Sequence, residues 1–299
     1  MAIDTYGLPF LFAAKAAGVS FAKTGTLGRQ GFFPDERTLQ RCFDRLGIAE
    51  NARRFLAESQ SYSEHFLTLL GATEICAIDN SSYEGAPVIH DMNQPIPPSL
   101  KNRFTTLIDG GVLEHIFNFP QAVTNCMEMI QIGGHFIGIT TANNFTGHGF
   151  YQFSPELFFR IFSPENGFLT ESVMLHETTP NAEWYEVIDP EVLKRRVELV
   201  NGRPTYILIR AKKVSDGPIF STTPQQSDYS RIWDRHSNGA TGAARGRGFG
   251  SKFRKTVKRW MGSYWAISPL RFQSNCYRRV SEADLVLGGH AQSQVKENL

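Results

Sequence analysis

The chain has 299 residues, 41% of them hydrophobic and 20% charged, with a formal net charge of +2. That composition suits a soluble globular protein with a full core. Its four cysteines, Cys42, Cys76, Cys126 and Cys276, lie far apart without a C-x-x-C pair, which argues against a zinc knuckle or a disulfide framework and for reduced thiols in the cytoplasm. The apolar start "LPFLFAAKAAGV" has Asp4 ahead of it and Lys15 inside it, unlike a signal peptide, and no apolar run reaches membrane-spanning length.

In chain order, residues 9–19 read as a short helix, the main feature of an N-terminal segment 1–20. "SFAKTGTLGRQ" reads as a strand ending in a Gly turn. Residues 35–70 are helical in pattern, with an acidic first turn and Gly stops, and about 35–58 reads as a helical insertion. "ATEICAID", "APVIHD" and "FTTLID" are three successive apolar strands. "PQAVTNCMEMIQIGG" reads as a helix that opens on Pro and closes on Gly-Gly, and "HFIGITT" as the next strand. "FLTESVMLHE" and "PTYILIRAKK" read as two late strands forming a hairpin at the sheet edge. Continuous apolar strands alternating with amphipathic helices imply a mostly parallel sheet covered on both faces. Residues 21–213 are therefore expected to be one doubly wound, Rossmann-like α/β domain. Residues 214–250, rich in Ser, Thr, Gly and Pro, read as a flexible linker, and 251–299 as a basic C-terminal amphipathic arm.

Ligands of an open parallel sheet sit outside the carboxyl ends of its strands. Asp79 ends one strand, Asp91 follows the next and Asp109 ends a third. A carboxylate after the second strand suits the two hydroxyls of a ribose, and one after the third suits an adenine amine. Asp is also common in turns for its own reasons, so the series counts for more than any one member.

On these residues the stretch 73–140 resembles the class I S-adenosylmethionine-dependent methyltransferases. "ICAIDNS" resembles the strand whose acidic end holds the ribose, and "VIHDMNQPIP" the adenine-contacting segment. "FTTLIDGGVLEHIFNFPQAVTNCMEMIQIGGHFIGIT" resembles the fourth strand through the fifth, with D-x-x-x-x-E-H after the fourth strand. The resemblance implies S-adenosylmethionine as cofactor and S-adenosylhomocysteine as product. It implies a binding set of Gly28, Arg29, Gln30, Asp79, Asn80, Asp91, Met92, Asp109, Gly110 and Glu114. One departure is evident: where the family has an acidic Gly-rich loop, this chain has "GTLGRQGFF", with Arg29 in the turn. A nicotinamide dinucleotide site has no support, since no G-x-G-x-x-G is present.

The loop after the fifth strand, "TTANNFTGHGFYQFSPELFFRIF", is dense in polar and aromatic groups, with Gly147 and Gly149 flanking His148. His148 is the first candidate general base, His115 the second, and Tyr151 a helper that orients the acceptor. Asn143, Asn144 and Gln152 are candidate substrate contacts. A buried lid with a merely hydrogen-bonded His148 is the alternative. No His, Cys, Asp and Glu spacing along the sequence suggests a metal site.

Residues 1–244 hold 20 basic and 26 acidic side chains, whereas Arg245 through Arg279 include ten basic residues and no acidic one. The stretch "SKFRKTVKRWMGSYW" (residues 251–265), which holds the expected helix 252–264, puts Phe253, Val257, Trp260 and Tyr264 on one helical face. That pattern suits an anionic membrane surface, a helix docked on the body or, less favoured, a nucleic-acid arm. The function expected is methyl transfer to a small-molecule or sugar/glycan acceptor at O or N. The alternative is an inactive methyltransferase-fold binding or scaffold protein.

Overall fold

The computed structural model describes residues 2–230, 233, 271–272 and 276–288. The basic segment 252–264 and most of the linker beyond residue 230 lie outside the described residues.

The chain opens with strand β1 (Ala2–Asp4) and helix α1 (Leu8–Ala16). Asp4 fixes the turn between them: its Oδ1 accepts from the backbone N–H of Tyr6 at 3.0 Å and of Gly7 at 2.8 Å. Strand β2 (Lys23–Leu27) follows, then β3 (Gly31–Phe33), which pairs in parallel with β1. Three helices come next: α2 (Glu36–Leu46), α3 (Ala52–Glu58) and α4 (Glu64–Leu69). The start of α2 is dictated by Asp35, whose side chain accepts from Thr38 N at 2.8 Å, and its end by Gly47 at φ +65°. Leu39, Cys42 and Phe43 recur on its buried side.

The parallel strands continue with β4 (Glu74–Asp79), β5 (Val88–Ile89) and β6 (Phe104–Asp109). Helix α5 (Phe119–Met129) passes straight into β7 (Ile130–Asn143). The helix does not run to the Gly-Gly pair expected to end it. Ile130 already pairs with Phe104, and Gly133 (φ +82°) and Gly134 lie in a register shift before His135 pairs with Thr106. The run "IQI" favours strand, and a Cβ on Gly134 would meet Thr105 O at 2.9 Å. The chain then forms α6 (Pro155–Ile161), β8 (Phe168–Glu177), β9 (Trp184–Val187), α7 (Pro190–Leu193), β10 (Leu199–Val200), β11 (Thr205–Lys213), β12 (Arg271–Phe272), β13 (Tyr277–Val280) and a last described helix, Glu282–Val286.

Nine strands form one sheet in the order β13-β9-β8-β11-β7-β6-β2-β4-β5. From β5 to β7 all neighbours are parallel, and β11 lies antiparallel between β7 and β8. The late hairpin is thus present, but β9 and β13 extend the sheet beyond it, so it is not the edge. Strands β10 and β12 make a separate two-stranded pair. Part of the stretch expected as an arm therefore joins the body: β13 closes the sheet, and the helix after it packs on α1.

The strand residues alternate between two cores. Leu107, Phe136, Val173, Leu175, Ile207 and Ile209 face α5 and α6. Ile108, Ile137, Met174 and Leu208 face α1, α2 and the last helix. Covering both faces leaves ligand access at the strand ends.

Candidate functional site

The carboxyl ends of β2, β4, β6 and β7 form one row. Leu27 pairs with Ile78 on one side and Asp109 on the other, and Asp109 pairs with Gly138. Gly28 turns at φ +66° and donates its N–H to Ile78 O at 2.7 Å, which sets the turn directly beside Asp79. After it the chain runs through Arg29 and Gln30 into strand β3, so no helix begins at this turn; α2 starts only at Glu36.

Asp79 is half-buried, and its Oδ1 accepts from Ser81 N at 3.0 Å. Asn80 beside it is exposed. Asp79 O also accepts from His90 N at 2.8 Å, which ties the tip of β4 to the "HDMNQPIP" loop. In that loop Asp91 is exposed and accepts from both the backbone N–H (2.9 Å) and the amide (2.7 Å) of Asn93. The backbone bond is the chief reason that its carboxyl sits below the usual range. Met92 points the other way, into the core. The loop is stapled from below by Asn125, a fully buried residue of α5. Its Nδ2 donates to Met92 O (3.1 Å) and Gln94 O (2.7 Å), and its Oδ1 accepts from Ile96 N (3.3 Å). Sequence reading did not single out Asn125; a lone amide between Ala122, Val123, Cys126 and Met127 was the available clue.

Gln30 and Asp109 turn inward. Gln30, 1% exposed, bonds Leu27 O and packs so closely on Gly110 that a Cβ there would collide with it. Asp109 is fully buried; its Oδ1 accepts from Val112 N at 2.8 Å and Leu113 N at 3.3 Å. It closes the turn after β6, and its carboxyl is pushed well up, first by burial and then by the charge of Glu114. Gln30 Oε1 and Asp109 Oδ2 are both buried acceptors without a donor. Such atoms cost about 1–3 kcal/mol each when left unmet. Arg29 reaches across the row: Nε lies 2.6 Å from Glu64, Nη1 donates to Glu84 O at 3.0 Å, and the guanidinium sits 3.8 Å over the Tyr62 ring.

The second half of the row carries two histidines beside a buried glutamate. Glu114, 1% exposed, accepts from the Thr140 hydroxyl at Oε2 (2.8 Å), while Oε1 faces His148 Nε2 at 3.7 Å. The His115 and His148 rings meet edge-to-face with centroids 4.8 Å apart. Burial holds His115 below its ordinary value against the opposing pull of Glu114. Glu114 O accepts both Phe150 N (2.7 Å) and Tyr151 N (3.2 Å), which sews the His148 loop to the fourth-strand loop. Gly149 (φ +70°) makes this approach: a Cβ there would lie 2.7 Å from Glu114 O.

The other predicted residues are present in this half with their polar groups engaged. Tyr151 OH donates to Phe117 O at 2.7 Å. Gln152 Oε1 accepts from Phe145 N at 2.7 Å. Asn143 and Asn144 both donate to Asn201 Oδ1, at 2.7 and 2.9 Å, and Asn144 also reaches Arg203 O. Asn201 in turn donates to Glu177 at 3.0 Å. These amides shape the loop, with Asn201 as a hub that sequence reading missed because it lies 57 residues from Asn144.

No family model and no curated protein matches the chain. Solved structures do match in chain path. A SAM-dependent methyltransferase of Thermotoga maritima is 12% identical over 70% of this chain and 90% of its own, with a TM-score of 0.41. An S-adenosylmethionine-dependent methyltransferase of Mesorhizobium loti is 14% identical over 65% and 92%, at 0.34. The 1,6-didemethyltoxoflavin-N1-methyltransferase of Burkholderia thailandensis is 12% identical over 68% and 79%, at 0.34. The strand order carries the assignment. Counting β2, β4, β5, β6, β7, β8 and β11 as first to seventh gives 3-2-1-4-5-7-6 with the seventh antiparallel, and this is the fold of the class I S-adenosylmethionine-dependent methyltransferases.

Proposed function

We propose that the chain is an S-adenosylmethionine-dependent methyltransferase acting on oxygen or nitrogen of a small-molecule or sugar acceptor. The observation that carries this reading is the juxtaposition of Asp79 with the Gly28 turn at the tips of the first two strands. Asp79 has an oxygen left over for ribose hydroxyls, and the adjoining loop is fixed by Asn125. Asp109 Oδ2, a buried acceptor without a donor, fits a ligand that brings an ammonium group. Asn80, Asp91 and Gly110 would complete the binding row.

When bound, the cofactor supplies an activated methyl group. The protein's part is positioning and, for a hydroxyl acceptor, removal of a proton. His148, half exposed on its loop, takes that proton, and Glu114 stabilises the imidazolium that results. His115 edges the same space, and Phe117 and Phe150, both exposed, offer apolar contact to the acceptor.

A second reading, a cofactor-free scaffold, rests on Arg29, which spans from the Gly turn to the loop after β4 and is held at both ends. Calorimetric titration with S-adenosylhomocysteine separates the two. Micromolar binding that vanishes in Asp79→Ala is the expected result; no heat at millimolar ligand leaves the scaffold.

A further inference from the structure

We propose that Glu114, His115 and His148 form a binding site for a divalent first-row transition-metal ion. The proposal goes beyond methyl transfer and does not depend on cofactor binding. One ligand atom from each residue lies within 4.8 Å of the other two. Ligands of a tetrahedral ion with bonds of about 2.0 Å sit about 3.3 Å apart, so Glu114 Oε1 and His148 Nε2, at 3.7 Å, are already near that spacing. The remaining closure falls to His115 and His148, both exposed.

The site is built from within. Thr140 engages one oxygen of the buried Glu114 carboxylate and leaves the other facing His148. The backbone of Glu114 holds the His148 loop at two points, and Gly149 permits that closeness. Among the described residues, Glu114 has no Lys or Arg ion pair, so imidazole is its only basic neighbour. A buried carboxylate without a cation is costly, and a bound ion removes that cost. Two imidazole nitrogens and one carboxylate oxygen suit Zn²⁺, Co²⁺ or Fe²⁺ better than Mg²⁺ or Ca²⁺, which prefer oxygen alone. Three protein ligands leave a coordination position open, and the exposed Phe117 and Phe150, each two residues from a ligating histidine, pair edge-to-face at 5.9 Å. That position takes a water or an oxygen donor carried on an apolar body. An ion on Nε2 withdraws His148 from acting as a base and replaces it with a Lewis acid that lowers the pKa of a bound hydroxyl.

The test uses the full chain, stripped by chelator and titrated with Co²⁺ while visible absorption is read. One equivalent bound with micromolar affinity, showing tetrahedral-type bands that one equivalent of Zn²⁺ abolishes, is expected. His148→Ala and Glu114→Gln should each weaken binding at least tenfold, and the distant His90→Ala should leave it unchanged. Because Glu114 is buried, His148→Ala, on an exposed loop, decides the matter if Glu114→Gln unfolds. No bands in the parent protein, or equal binding by parent and His148→Ala, overturns the proposal.

Discussion

The two halves of the strand-tip row are built in opposite ways. At β2 and β4 the space is taken up by the protein itself: Gln30 is buried against Gly110, and Arg29 bridges Glu64 and Glu84. At β6 and β7 Glu114, His115 and His148 converge from two loops, with both imidazoles exposed. Both halves rest on the same sheet, but the chain after β2 runs on into β3 without a helix, whereas the loops after β6 and β7 are joined through the Glu114 carbonyl. One sheet can thus carry a tip filled by its own side chains beside a tip that gathers two exposed imidazoles around a buried carboxylate.

The largest expected effect tests the histidine half. In a methyl-transfer assay against a panel of hydroxyl acceptors, His148→Ala should lower kcat by about 10²–10⁴-fold, with S-adenosylhomocysteine affinity unchanged. An unaltered kcat would remove His148 from the reaction. Next comes the filled half: Asp79→Ala should weaken S-adenosylhomocysteine binding by about 10²–10⁴-fold, the scale of losing two hydrogen bonds to a charged group at about 1.5–3 kcal/mol each. Equal affinities would mean that the ribose is held elsewhere.

A third effect lies away from the row and serves as a reference for stability changes. His176 is buried, stacked on Trp184 with centroids 4.1 Å apart, and burial holds its pKa down at about 3. Its unfolded value is about 6.5. A depressed folded pKa gives stability that is complete above the unfolded value and declines as pH falls toward the folded one. Between pH 7 and pH 5 the parent should lose about 2 kcal/mol from this group alone. Urea unfolding at both pH values should show that component missing in His176→Phe; parallel losses would contradict the assignment. The smallest effect sharpens the contrast between the halves. Gln30→Ala should tighten S-adenosylhomocysteine binding by about tenfold if the amide competes for the cofactor's place. Weaker binding would instead make Gln30 a ligand contact.

Much of this was legible in the sequence. Period and punctuation located α2, β4, β6 and the late hairpin, because capping by Asp35 and apolar runs such as "ICAI" are local effects. The boundary of α5 was misplaced because strand pairing of Ile130 with Phe104 outweighed the Gly-Gly stop. The row of Asp residues was visible, but the inward turn of Asp109 was not. Its orientation depends on the N–H groups of Val112 and Leu113, which a sequence does not aim. The meeting of Glu114 with His148 was hidden for the same reason, since it needs two loops to be joined through the Glu114 carbonyl.

In helix α1 the run Leu8 through Ala14 is apolar and wholly buried, and the helix meets a charge only at Lys15 in its last turn. Part of what covers it is the helix Glu282–Val286, with Leu285 and Val286 in the same core. Nearly the whole chain separates the two. At about 5–20 residues per second of synthesis, roughly 15–55 s pass between the emergence of α1 and that of its cover. For that interval the first helix presents Phe10, Leu11 and Phe12 without their final neighbours, and completion of this core waits on the helix Glu282–Val286 to leave the ribosome.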